Sequence, residues 1–334
     1  MTIRIYLDHA ATTPMRPEAI AAVAEGMARW ANPSSPHAEG RAARRALEDA
    51  RARIAAALGW DGEVILTSGA SEALSIALHG HDAVATTVEH DAVLRVVGGE
   101  RVPVGSDGLI ALAAVPEGRR VAVQSANSET GVLQPLAEVA VRAGVLVADC
   151  SQSAGKLPLP LADLIVVSAH KLGGPPGIGA LLVRDFALLT PTGGQEQGYR
   201  GGTENLPGAL GFAAALEAPR DWLAGVAALR ADLDARIRAG GGEIIADTSP
   251  RIATIAAYRL PGRSAAAQLM RLDSAGFAVS AGSACSSGTL KTSHVLSAMG
   301  MDARAASEVI RVSFGWNTTA AEVDAFAAAW SAMA

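Results

Sequence analysis

Two short aliphatic runs, Val145–Ala148 and Leu164–Val167, constrain the fold of this chain more than any other feature. Both are largely β-branched and neither alternates with polar residues, the pattern of strands buried on both faces of a parallel sheet. Such a sheet needs helices on each face, so the runs predict an α/β fold. Each run ends in polar residues, Asp149 after the first and Ser168, His170 and Lys171 after the second. In open α/β sheets, ligands bind just beyond the carboxyl ends of the strands. A lysine there, followed at once by LGGPPG, is oddly placed for a solubilising charge. A lysine for a Schiff base and a carboxylate for a pyridine nitrogen are what a pyridoxal phosphate site requires. An Asp followed 22 residues later by a Lys is also what two unrelated charges look like, so the rest of the chain decides.

At 334 residues and 50% hydrophobic, the chain can bury a large core in one big domain or two. A net charge of −5 offers no basic field for nucleic acid or an anionic membrane. No apolar run approaches the roughly 20 residues that span a bilayer, and the N-terminal stretch is too short for a secretory signal, so a cytoplasmic location is expected. Cys150 and Cys285 are the two cysteines. They make no disulfide framework and have no neighbours at metal-ligand spacing, so no metal is expected and any cysteine chemistry is catalytic.

In chain order, DHAATTP reads as a loop, Pro17–Ala28 as a helix begun by Pro17 and Glu18, and 31–40 as a turn-rich surface crossing. Arg41–Leu58 reads as an amphipathic helix ended by Gly59, with Arg41, Arg44, Arg45, Arg51 and Arg53 forming a solvated face. Glu63–Thr67 is a predicted strand running through SGASEA into a helix that ends near Leu78, a junction that suits a phosphate or else a plain turn capped by Ser71. Strands are predicted at Val84–Thr87, Val121–Gln124, Gly177–Val183 and Ile252–Tyr258. Helices are predicted at Leu136–Ala143, Leu210–Arg238, Ala265–Ala275 and Ala320–Met333. The alternation gives a mostly parallel sheet, followed by an α+β remainder; the expected division is a large domain at 16–219 and a small one of 1–15 plus 220–334 carrying the cysteine loop. His90 falls on the same strand-end rim as Asp149 and Lys171. Glycine and serine flank Cys285, which argues for an available thiol, whereas Cys150 reads as core packing. His37, His79, His81 and His294 read as ordinary polar residues. Arg311 lies inside an apolar strand and needs an anionic partner, which a substrate carboxylate could supply.

The segments YLDHAATTP, NPSSPH, TSGASEA, VEHDAV, NSETG, DCSQSAGK, SAHK, GGQEQGYRGGTEN, SAGSACSSG and VIRVSFG stand in order along nearly the whole chain. Together they resemble the cysteine desulfurases of the NifS/IscS type, within the class V aminotransferase superfamily. The resemblance implies a fold-type I pyridoxal 5'-phosphate enzyme that removes sulfur from L-cysteine, leaving alanine and a persulfide on Cys285. It assigns the Schiff base and α-proton transfer to Lys171, the ring nitrogen to Asp149, and ring stacking with proton transfer to His90. Gln152 would approach the phenolic oxygen, while Ala70, Ser71, Ser168 and His170 would hold the phosphate. Thr203 would reach the phosphate of a neighbouring subunit in a homodimer, with Arg200 close by. Arg311 would clamp the substrate carboxylate and Asn32 would line the entrance. The persulfide would pass to an acceptor protein, such as an iron-sulfur scaffold.

Three departures from the family pattern stand out. NSETG replaces the usual NNETG or NNEIG, which puts Ser128 where an asparagine touches the cofactor oxygen and the substrate. Pro176 replaces a lysine in GPPG, and SAHK replaces SGHK. Set against the family pattern, the chain is expected to lack the C-terminal extension that family members use for scaffold docking. A selenocysteine lyase or other class V enzyme, or a non-catalytic relative of the same fold, are the alternatives.

Overall fold

The computed structural model describes residues 4–282 and 292–333. Its strands in chain order are β1 (Ile5–Tyr6), β2 (Glu63–Thr67), β3 (Ala83–Thr86), β4 (Arg101–Val102), β5 (Arg120–Gln124), β6 (Val145–Asp149), β7 (Leu164–Ser168), β8 (Gly179–Val183), β9 (Glu243–Ile244), β10 (Ile255–Arg259), β11 (Phe277–Ala278) and β12 (Val309–Ser313). Seven of them form one sheet in the order β2-β8-β7-β6-β5-β3-β4. Its β7-β6-β5-β3-β4 portion is parallel, whereas β8 runs antiparallel to both β7 and β2. The two aliphatic runs are its central neighbours, Asp149 standing opposite Val166. Apart from the half-buried Val145, their residues are fully buried, as double coverage by helices demands.

One apolar cluster lies between the sheet and the helices Pro17–Ala28, Ala38–Leu58 and Leu206–Glu217, and includes Leu47, Ile54, Val123, Val167 and Phe212. Another, with Leu74, Val93 and Leu164, covers the other face under the helix Ala70–Leu78. A separate cluster gathers Leu7, Tyr258, Phe277, Val312, Phe326 and Trp330 around the antiparallel β12-β10-β9 sheet. The N-terminal strand belongs to this last group: β1 pairs with β11, and the Ser313 amide donates to the Leu7 carbonyl at 2.8 Å. The first residues are thereby tied to the last strand, and the loop after them is carried to the sheet rim.

The helices expected at 17–28, 41–58, 136–143, 265–275 and 320–333 and the one ending near Leu78 are present as Pro17–Ala28, Ala38–Leu58, Leu136–Arg142, Ala265–Ser274, Ala320–Ser331 and Ala70–Leu78. The continuous helix expected over 210–238 is two, Leu206–Glu217 and Trp222–Ala239. Pro219 is the cause, since it forces Ala218 into extended backbone (φ −61°, ψ 150°). The arginine face is also not simply solvated. Arg51 makes a bidentate pair with the buried Glu196 (2.6 and 3.0 Å), and Arg44 reaches the buried Glu204 at 2.9 Å. The glycine-rich segment folds back over this helix, supplying acids that the local charge pattern could not reveal.

Candidate active site

After β7 the chain makes a single tight turn, Ala169–Lys171, that swings the lysine off the sheet end. Its Nζ donates to the carbonyls of Ala10 (2.6 Å) and Ala11 (2.8 Å), both in the N-terminal loop. Burial pushes this amine down to about 8; Arg311 lowers it further, while Asp149 and Asp8 oppose the shift. Asp149 ends β6 and is buried. One of its oxygens accepts from the Ser151 amide (2.9 Å) and hydroxyl (2.5 Å), which fixes the direction of the carboxylate. Both residues line one cavity of about 610 Å³, a volume in the range of small-molecule sites. The sequence contains three lysines, 156, 171 and 291.

A second part of the cavity is the start of the helix Ala70–Leu78. Gly69 precedes it with φ 149°, a conformation that a side chain resists. Across from it, a Cβ on Gly179 would lie 2.8 Å from Gly69 Cα and 2.6 Å from the Val167 carbonyl. Two bare backbones therefore meet here, leaving the first helical amides open toward the cavity. Ala70, Ser71, Ser168 and His170 all line it. Ser71 is exposed and makes no cap, so the alternative of a plain capped turn does not hold. His170 lies 3.1 Å from the Thr12 hydroxyl, and burial, followed by the nearby Lys171, pushes it down to about 4, so the ring is neutral. Arg200 reaches this end through Glu72, its Nε donating at 3.1 Å.

His90 lines the opposite wall and begins a short helix, its Nδ1 accepting from the Ala92 amide at 3.1 Å. Gln152 donates through Nε2 to the Ala10 carbonyl (2.9 Å), while its buried Oε1 has no partner among the described residues. Arg311, central in β12, donates to Asp8 (2.7 Å) and to the backbone carbonyl of Ser128 (2.9 Å). The anionic partner expected for this guanidinium is thus a residue of the chain itself. The Ser128 carbonyl reaches Arg311, and the residue lines the cavity.

Asn32 and Thr203 do not join this lining. Both are exposed, and the Asn32 side chain accepts from the Ser34 amide at 2.8 Å. Cys285 lies outside the described residues. Cys150 is fully buried and its thiol is pushed up to about 12 by burial, which makes it inert.

Four lining residues escaped the sequence reading. Asp8 has only its place in DHAATTP to signal it. Glu89 is fully buried with Oε1 at 2.6 Å from the Thr86 hydroxyl and Oε2 without a partner, and burial pushes it up to about 8. Glu129 accepts from Ser293 (2.5 Å) and is likewise raised by burial. His294, read as an ordinary polar residue, lines the cavity with Nε2 2.9 Å from the Glu89 carbonyl.

Residues 5–326 match the family model for aminotransferase class V. An IscS-like cysteine desulfurase of Mycobacterium tuberculosis is 39% identical, over 96% of this chain and 93% of its own length. A cysteine desulfurase of Cereibacter sphaeroides is 38% identical with the same coverage of both chains. The X-ray structure of a NifS-like protein from Rickettsia africae superposes with a TM-score of 0.90 at 28% identity over 99% of both chains. The complex of SspA with cysteine does so at 0.79 and 27%, over 93% of this chain and 98% of the other. With its lysine and aspartate on neighbouring strand ends and a family match over nearly its full length, the chain belongs to the class V aminotransferases, among the NifS- and IscS-like cysteine desulfurases.

Proposed function

We propose that this chain is a pyridoxal 5'-phosphate-dependent cysteine desulfurase acting on L-cysteine. The observation that carries the proposal is Lys171 and Asp149 lining one cavity with the start of the helix Ala70–Leu78. The residues fit the cofactor. The Gly69–Gly179 approach opens amides for a phosphate, Gln152 brings an unpartnered buried oxygen, and the carboxylate and amine stand on adjacent strands. Ser71, Ser168, His170 and Ala70 would hold the phosphate, Asp149 the ring nitrogen, His90 the ring face, and Gln152 and Ser128 the phenolic-oxygen side. When bound, the cofactor supplies an electron sink for charge developing at the substrate α-carbon.

Lys171, with its amine poised near neutrality, takes and returns the α-proton. Asp149 keeps a proton on the ring nitrogen. Arg311 receives the substrate carboxylate while Asp8 holds its guanidinium in place. The Cys285 thiolate attacks the substrate sulfur and becomes a persulfide as the carbon–sulfur bond breaks, its electron pair staying on the β-carbon; that carbon takes a proton from solvent, the α-carbon regains the one Lys171 returns, and alanine leaves. The sulfur then passes to an acceptor protein, an iron-sulfur scaffold being the role that fits the resemblance. Thr203, exposed on the glycine-rich segment, would serve the site of a second subunit in a homodimer, and Asn32 would flank the entrance. The cluster around Tyr258 and Trp330 supports a small domain of 1–15 plus 220–334 beside the large one of 16–219. A cytoplasmic location accords with the finding that no described helix is long and apolar enough to cross a membrane.

The test is sulfide release from L-cysteine with dithiothreitol. Cys285→Ala is expected to lose about 10²-fold or more of the wild-type rate. Equal rates in the two proteins would show the persulfide mechanism to be wrong.

A further inference from the structure

Behind Lys171, on the side away from the large cavity, a second cavity is lined by Arg16, Lys156, Lys171 and Arg220, together with Trp222 and Trp316. No aspartate or glutamate lines it among the described residues. Three of the four cations have backbone partners. Lys171 reaches the Ala10 carbonyl, Lys156 that of Gln152 (3.0 Å), and Arg220 those of Ala57 (3.1 Å) and Leu216 (2.6 Å). Arg16 has none. It is 7% exposed, its side chain makes no hydrogen bond or ion pair among the described residues, and its Nε is buried and unpartnered. Trp222 lines the same space, and its indole N–H is also buried without a partner among the described residues.

The buried Nε of this guanidinium lacks the partner that a buried polar group requires. Arg16 stands at the N-cap of the helix Pro17–Ala28, where the helix dipole repels a cation. The Trp316 ring face, with its negative character, lies 5.3 Å from the Arg16 guanidinium. Glu18 and Asp221 act on it from outside, but both are exposed and neither lines the cavity. The stem cannot swing away freely, since Gly173 packs so closely that a Cβ there would lie 2.8 Å from Arg16 Cγ. The cavity leaves about 20 Å³ for the centre of a water-sized occupant, where one water needs roughly 10–15 Å³. A water would satisfy the N–H groups and leave the charge uncompensated; an anion does both. We propose that this cavity binds a single small inorganic anion of halide size, held by Arg16 and the Trp222 N–H beside Lys156. Burial, and after it Lys171, pushes the Lys156 amine down to about 7.

Crystals of the holoenzyme grown with sodium bromide are expected to show an anomalous scattering peak in contact with Arg16 Nε and Trp222 Nε1. In solution, replacing gluconate by chloride at constant ionic strength is expected to raise the wild-type Tm by about 2 °C. Arg16→Met should abolish that rise. Trp222→Phe, which deletes the N–H alone, should require about tenfold more chloride for it and keeps the test open if the arginine variant does not fold. Water density without anomalous signal, bromide peaks only elsewhere, or a chloride-specific rise retained by Arg16→Met would each overturn the proposal. So would a peak with no chloride effect on Tm, which would mean an adventitious ion only.

Discussion

Lys171 stands between two spaces of opposite character. In front of it, a cavity of about 610 Å³ mixes Asp8, Glu89, Glu129 and Asp149 with His90, Lys171 and Arg311. Behind it, about 20 Å³ is bounded by Arg16, Lys156, Lys171 and Arg220 and by no carboxylate among the described residues. Two of the buried arginines, Arg16 and Arg311, make the same contrast. Arg311 holds Asp8 at 2.7 Å, whereas Arg16 holds nothing among the described residues. A wall of paired charges with room between them suits an occupant that brings both signs, as an amino acid and a phosphorylated cofactor do. A small space of one sign suits one ion. The lysine's lowered affinity for protons comes first from burial and then from Arg311 of the front wall.

The contrast is broken most severely by removing the lysine on which it turns. Lys171→Ala is expected to lower sulfide release by about 10³-fold or more, with loss of the visible absorbance of bound cofactor. Lys156→Ala, behind it, should cost less than about tenfold if the rear space takes no part in chemistry. Arg311→Lys comes next. A single ammonium cannot hold Asp8 and the Ser128 carbonyl while receiving a substrate carboxylate, so KM for L-cysteine should rise about tenfold with a smaller change in kcat. A stability measurement sharpens the electrostatics of the front wall. Glu89 is raised from 4.5 to about 8, so between those values the folded chain retains a proton that the unfolded chain has lost. Its contribution to stability is therefore complete below pH 4.5 and falls as pH rises toward 8, with a slope of up to about 1.4 kcal/mol per pH unit. Urea denaturation of Glu89→Gln from pH 5 to 8 should show that loss removed, and an unchanged slope would remove Glu89 from the account.

Much of the front wall was legible because its residues follow strands. Asp149, Ser168, His170 and Lys171 sit at the ends of β-branched runs, and runs of that kind locate the sheet rim by local pattern alone. Asp8 was not legible as a partner of Arg311, nor Ala10 and Ala11 as acceptors for Lys171. Those contacts join positions 160 residues or more apart in the chain, brought together by the pairing of β1 with β11 and of Leu7 with Ser313. The break at Pro219 was local and could have been read, since the residue before a proline avoids helical backbone. Arg51 and Arg44 looked solvated because the acids they hold, Glu196 and Glu204, come from a loop about 150 residues away that periodicity cannot place. Glu89 left no signal beyond its position before His90, and its burial follows from the packing of β3 against β5.

With three lysines in the sequence, one measurement separates the alternatives for the cofactor amine. Lys156 is pushed lower than Lys171, to about 7 against about 8, so proton affinity alone would favour the wrong residue, and position in the cavity must decide. Borohydride reduction of the holoenzyme followed by peptide mass mapping fixes the cofactor to whichever lysine carries it. The geometry described above requires the pyridoxyl mass on the peptide containing Lys171 and none on Lys156 or Lys291; the mass on either of those two would contradict it.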